Sequence, residues 1–196
     1  IDVKKKSEIC YYSFIGVFGL DKKKVGTLLC EAKKKLLQYH AKNLNASLVP
    51  HAPYSVSLEL LKEIYAHDKG GLRSIHHQES ASENQLFLNG DGALADLFES
   101  KGLDISRQKG LGKTSTQYSV LDHISEEEKV LLVHNVYSEQ KDINLVQNNL
   151  NQAYWCSCPK ANWYIENRLP NYDLWRKNNL KITLGTDSLA SNDTLS

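Results

Sequence analysis

Six short apolar runs, nearly all followed by amphipathic stretches, set the strongest limit on how this chain folds. That alternation is the pattern of β-α units around a parallel sheet. The runs lie at residues 9–18, 46–51, 72–77, 129–134, 153–157 and 181–186. After the first, Val25, Leu28, Leu29, Ala32, Leu36, Leu37 and His40 recur at steps of three and four and predict a helix with one apolar face. The lysine triplets at 22–24 and 33–35 then belong to solvated surface. Ser57 suits an N-cap for a helix over residues 58–65, and further helices are expected around 139–149 and 172–178. The rhythm breaks at about residues 80–112. There Asn89-Gly90-Asp91-Gly92, Gly102 and Gly110-Leu111-Gly112 are turn-like, and only residues 93–98 look helical. This stretch reads as an insertion within a single domain spanning 1–196.

Composition agrees with a packed α/β core: 41% of residues are hydrophobic and 24% charged, which excludes disorder and coiled-coil chains. Lys+Arg 24 against Asp+Glu 23 leaves +1, so no global field draws in nucleic acid or an anionic membrane. No apolar run approaches the ~18–20 residues of a membrane span, and Ile1-Asp2-Val3-Lys4-Lys5-Lys6 opens no signal peptide. A cytoplasmic protein with a small-molecule substrate is expected, with neither nucleic acid nor membrane as partner. With no Met and a start at Ile1, part of the gene product is expected to be missing at the front. Cys10, Cys30, Cys156 and Cys158 are too scattered for a disulfide framework and are read as buried thiols, metal ligation being the other reading. Trp155 and Trp163, with Tyr154 and Tyr164, are read as core packing, a heteroaromatic pocket being the other reading. Gly112-Lys113-Thr114 lacks the preceding glycine of a phosphate-binding loop. Asn45-Ala46-Ser47 and Asn192-Asp193-Thr194 are glycosylation sequons without meaning unless the chain is secreted.

In parallel β/α proteins, chemistry gathers at the carboxyl ends of the strands. Those ends carry His51, then His76 with Glu79, then His134, then Asp187. Each is a residue type that binds metal or moves protons, and their recurrence on successive strands is the signal. Neutral imidazole and carboxylate suit a divalent cation, which lowers the pKa of a bound water toward neutrality. His76 and Asp187 fit the ligand role. Glu79, on the loop leaving its strand, is placed to move protons. His134 fits either ligation or a hydrogen bond to the attacking water.

The motifs His51-Ala52-Pro53-Tyr54-Ser55, Ser74-Ile75-His76-His77-Gln78-Glu79, Val133-His134-Asn135, Cys158-Pro159-Lys160-Ala161-Asn162 and Leu184-Gly185-Thr186-Asp187-Ser188-Leu189-Ala190-Ser191-Asn192 together resemble the amidohydrolase superfamily. The nearest branch holds deaminases and chlorohydrolases, among them those acting on S-adenosylhomocysteine, methylthioadenosine, guanine, cytosine and triazines. The resemblance covers about residues 9–196. It implies a metal-dependent hydrolase on a TIM (β/α)8 barrel, of which this chain is the part from about strand three to strand eight. It also implies one divalent metal ion, Zn2+ with Fe2+ as alternative, bound by His76 and Asp187. Glu79, His134 and Asp187 are then catalytic, and His51 and Asn162 contact the substrate.

The family's His-x-His pair on strand one has no counterpart here. Two family ligands remain of four, so the fragment is expected to bind metal weakly and to be inactive as supplied. An open barrel would expose two strand edges, to be covered by a partner chain, a swapped segment or the missing portion of the polypeptide, and a homo-oligomer is expected. The 58 residues from His76 to His134 exceed one β-α step, whereas the 53 from His134 to Asp187 cover two. The surplus lies in the 80–112 insertion, as a lid or substrate wall or as a peripheral contact. The activity expected is deamination of an amino-substituted heteroaromatic or nucleoside-type ring. Chlorohydrolase or cyclic amidohydrolase chemistry, or a silent relative, are the alternatives.

Overall fold

The computed structural model describes residues 1–67 and 70–192. After a short helix α1 (Asp2–Lys6), strand β1 (Tyr12–Val17) leads into α2 (Val25–His40), then β2 (Asn45–Pro50), α3 (Leu58–His67) and β3 (Arg73–His77). Helices α4 (Ala81–Leu88) and α5 (Ala93–Ser100) and a π-helical turn at Gln117–Leu121 precede β4 (Lys129–His134). The chain continues through α6 (Gln140–Asn149), β5 (Gln152–Ser157), α7 (Pro159–Glu166), α8 (Tyr172–Lys177) and β6 (Lys181–Leu184).

All strand pairings are parallel and follow chain order, β1 with β2, and β3, β4, β5 and β6 in succession. The two sheets meet at His51, whose carbonyl accepts the His76 N–H at 3.0 Å. Six strands form where the six apolar runs stand. The first is shorter than its run, beginning at Tyr12 rather than residue 9.

One sheet face packs on helices. Ile75, Val130, Leu132 and Trp155 are almost fully buried there, and Trp155 meets Trp175 of α8 at 5.9 Å between centroids. Burying a side chain such as Leu132 contributes roughly 1.5–3 kcal/mol. Leu131, Val133 and Tyr154, one position out of step, are only partly covered on the opposite face. On α2, Leu29, Ala32 and Leu36 form the buried stripe, while Leu37 stays 65% exposed and His40 is exposed too. Ser57 Oγ accepts the Leu60 N–H at 3.2 Å and so caps α3.

Several expectations are corrected. The insertion holds two helices rather than one. Glu83, Leu86 and Phe87 form the buried stripe of α4 at helical spacing, but its first member is an acid, so no apolar repeat showed it in advance. Cys156 and Cys158 are buried, whereas Cys10 and Cys30 are exposed; all four are free thiols. Trp155 is core, but Trp163 and Tyr164 are 58% and 73% exposed on α7. The sequon at Asn192 runs on to residues 193 and 194, outside the described residues. Among the described residues, no helix is long and apolar enough to cross a membrane.

Candidate active site

β3 ends on His76-His77, and strand alternation sends the two rings to opposite faces. His77 turns to the helix side and is fully buried, with Nδ1 2.8 Å from Asn135 Oδ1 and Nε2 2.8 Å from Thr116 Oγ1. Burial holds its pKa down to about 4, so it is a neutral structural ring. His76 faces the other way. Its Nδ1 lies 2.5 Å from the His51 carbonyl, and the His51 ring stands 4.6 Å from its own. His51 in turn has Nδ1 2.9 Å from Ser55 Oγ. Partial enclosure first, and the neighbouring His76 second, lower the His51 pKa.

His134 by alternation would share the helix-side face of Val130 and Leu132. A φ of 79° at His134 and 57° at Asn135 breaks that pattern at the strand end, and the ring stacks instead on His76, at 5.2 Å and 21°. Left-handed backbone in two successive non-glycine residues is costly and persists only where surroundings enforce it. Asn135 supplies that enforcement. Its side-chain oxygen meets His77, and its amide donates to the carbonyls of Leu132 at 2.7 Å and Cys156 at 3.3 Å.

The outer contacts of the two imidazoles decide what their inner nitrogens present. His76 Nδ1 faces a carbonyl and His134 Nδ1 lies 2.7 Å from Asn162 Oδ1, so both Nδ1 atoms carry the proton. Each Nε2 is left with a lone pair. His134 Nε2 is buried and has no hydrogen-bond partner among the described residues. Asp187 follows β6 in a left-handed turn (φ 59°), and its Oδ2 accepts from Ser191 Oγ at 2.5 Å. One donor atom each from His76, His134 and Asp187 lies within 4.8 Å of the others. Two imidazole nitrogens and a carboxylate oxygen, with an orphaned buried lone pair among them, fit a borderline divalent cation of the zinc class. Imidazoles held from behind by hydrogen bonds are how proteins usually orient metal-binding histidines.

Glu79 Oε1 is 3.5 Å from His134 Nε2, on the same side as the donor cluster. The five strand-end residues of the sequence reading thus gather at one place. Asn162 is fully buried behind His134 rather than open to a ligand at the surface. Three supporting residues escaped the sequence reading. Glu83, fully buried, accepts the Gln78 N–H at 2.9 Å and so pins the turn that carries Glu79. Gln78 (φ 45°) accepts in turn from Ser138 Oγ at 2.5 Å. Asn135 is the third. The Ser80-x-x-Glu83 spacing of a helix start was the available signal for Glu83; Asn135 carried none beyond following His134.

Parallel β/α architecture with a His, His and Asp donor set gathered at the ends of β3, β4 and β6 is the class of α/β protein that could hold a metal ion at its strand ends. The profile of the Amidohydrolase family matches residues 10–196, and the chain belongs to that family. It is 28% identical over 192 residues to the adenosine deaminase of Helicobacter pylori, covering 96% of this chain and 45% of that protein. The chain therefore spans less than half the length of this relative. The aminofutalosine deaminase of Helicobacter pylori, solved with methylthio-coformycin, superimposes with a TM-score of 0.82 at 24% identity, covering 100% of this chain and 48% of the other. An adenosine deaminase from Xanthomonas campestris, solved with bound zinc, gives 0.57 at 17% identity over 93% and 38%.

Proposed function

We propose that this chain carries the catalytic residues of a hydrolytic deaminase for an adenosine-type nucleoside, as a single partial (β/α)8 barrel domain from about strand three to strand eight. The observation that carries the reading is the convergence of His76, His134 and Asp187 donor atoms within 4.8 Å, with Glu79 beside them. Curated relatives named as deaminases of adenosine and aminodeoxyfutalosine support the substrate class.

His76 and Asp187 would hold a divalent cation, zinc by the donor chemistry, with His134 Nε2 as the third inward lone pair. When bound, the cation would supply Lewis acidity that makes a water nucleophilic near neutral pH. His134 Nε2 would orient the attacking water, and the Asp187 carboxylate would accept its proton. A proton carried by Glu79 goes to the ring nitrogen next to the attacked carbon; Glu79 then takes the proton of the added hydroxyl and passes it to the departing amine, which leaves as ammonia, and the proton on Asp187 restores Glu79. His51, stacked beside His76, contacts the bound ring. Asn162 acts through His134 by fixing its proton on Nδ1.

The test is zinc titration of this chain by calorimetry together with ammonia release from adenosine and 5′-methylthioadenosine by the full-length protein at saturating zinc. Zinc binding lost in His76→Ala, and ammonia release by the full-length protein lost in Glu79→Gln with zinc binding kept, are expected. Zinc binding unchanged by His76→Ala, or a zinc-loaded full-length protein that releases no ammonia from either nucleoside, would overturn the reading.

A further inference from the structure

Behind Asp187 the strand ends bring together a second set of donors that the proposed reaction does not use. Cys156 is the penultimate residue of β5 and Cys158 directly follows the strand, two residues apart, so both side chains fall on the same face of the sheet. Both are buried, 6% and 2% exposed. Their sulfurs flank Gly185: a Cβ placed there would lie 2.9 Å from Cys158 Sγ and 3.1 Å from Cys156 Sγ. The glycine's missing side chain is what leaves room for the two sulfurs at one point. Thr183 Oγ1 on β6 is buried and faces the Cys156 thiol, which also faces the Cys158 thiol. The Cys156 thiol reaches the Ser157 carbonyl only at a long 3.9 Å. The Asp187 N–H faces the Cys158 sulfur.

The geometry points to a second metal position, formed by Cys156 and Cys158 as thiolates with Thr183 Oγ1 as a neutral third donor, for a thiophilic divalent d10 cation. Soft sulfur donors select zinc-like and softer ions over magnesium or calcium. Charge selects the valence. Two thiolates and a divalent cation sum to zero, whereas a monovalent ion would leave a buried negative charge beside the Asp187 carboxylate. On binding, two sulfur–metal bonds form, two S–H bonds break, and two protons pass to solvent. This inference does not depend on the deaminase reading, since none of its three donors has a role in that reading.

The test uses cadmium chloride as the probe on the chain carrying Cys10→Ser and Cys30→Ser, which leaves the pair as its only thiols. One equivalent of cadmium should produce an ultraviolet sulfur-to-cadmium charge-transfer band and slow maleimide labelling of both thiols. The band should persist with His76→Ala, which removes a donor only from the other centre. It should be lost with Cys156→Ser, and lost with Gly185→Ala, which keeps both thiols and fills the space between them. Circular dichroism establishes that each variant folds. If a variant does not fold, the labelling of the parent chain decides. No band with the parent chain, no protection from labelling, or a band that survives Cys156→Ser in a folded protein would overturn the proposal.

Discussion

Asn162 Oδ1 accepts the proton of His134 Nδ1 at 2.7 Å, and that single bond fixes what the opposite nitrogen can do. With the tautomer set from behind, Nε2 offers a lone pair to the space shared with His76, Asp187 and Glu79. Asn162→Ala should therefore weaken zinc binding by roughly 10–100-fold, the usual cost of removing a partner that orients a metal-binding histidine. Asn162→Asp keeps an acceptor and should retain most of the affinity. Calorimetric titration of the two variants is the check, and equal affinity for Asn162→Ala and the parent would remove Asn162 from the site.

Glu83 gives the chain a pH signature. Burial, with Oε2 lacking a partner, raises its pKa from 4.5 to about 7. The folded state therefore holds this proton where the unfolded chain has released it. Its contribution to stability is complete below about 4.5 and declines as pH rises through about 7, levelling beyond. The difference is on the order of 3 kcal/mol at most. Glu83→Gln keeps the shape and the acceptor for Gln78 N–H but cannot ionise. Denaturant melts of both proteins from pH 4 to 8 should show the variant gaining on the parent as pH rises; parallel curves would mean that Glu83 is not buried as a neutral acid.

How much of this was legible in the residues follows from what each feature depends on. The six strands were visible because Leu132, Ile75 and Trp155 must be buried, and burial writes itself as apolar runs. The strand-end set of His51, His76, Glu79, His134 and Asp187 was visible because topology alone brings such ends together. Helix α4 was not, since its buried stripe of Glu83, Leu86 and Phe87 contains an acid that an apolar pattern passes over. Trp163 and Leu37 were misplaced because periodicity identifies an apolar helix face without naming what covers it. The turn of His134 back onto His76 was out of reach as well. It depends on positive φ at residues 134 and 135, held by hydrogen bonds between strands that no linear pattern encodes.

The buried pair at the opposite end of β3 is a matter of stability rather than catalysis. Arg73, 1% exposed, donates from Nε and Nη2 to Glu128 Oε1 at 3.0 and 2.6 Å, and from Nη2 to the Tyr65 carbonyl at 3.0 Å. Glu128→Ala strands a buried guanidinium, which should cost about 3–5 kcal/mol. Adding Arg73→Met to that variant removes the stranded charge and should recover part of the loss. Chemical denaturation of the single and double variants tests this; a loss under about 1 kcal/mol for Glu128→Ala would show that solvent already screens the pair.

Asn135 combines two separable contributions, and substitution can part them. Its backbone sits at φ 57°, and its side chain links His77 with the carbonyls of Leu132 and Cys156. Asn135→Gly removes the side-chain bonds but tolerates the left-handed backbone. It should cost about 2–4 kcal/mol, since buried partners lose their hydrogen bonds. Asn135→Ala removes the same bonds but keeps the Cβ that glycine relieves of strain in that backbone, so it should be about 1 kcal/mol less stable than the glycine form. The His134 ring loses its seat in both, so zinc affinity should fall in parallel with stability. Melting curves and zinc titrations on the two variants decide the matter. Equal stability of the glycine and alanine forms would show that the turn is unstrained, and unchanged zinc affinity in both would show that His134 reaches His76 without help from Asn135.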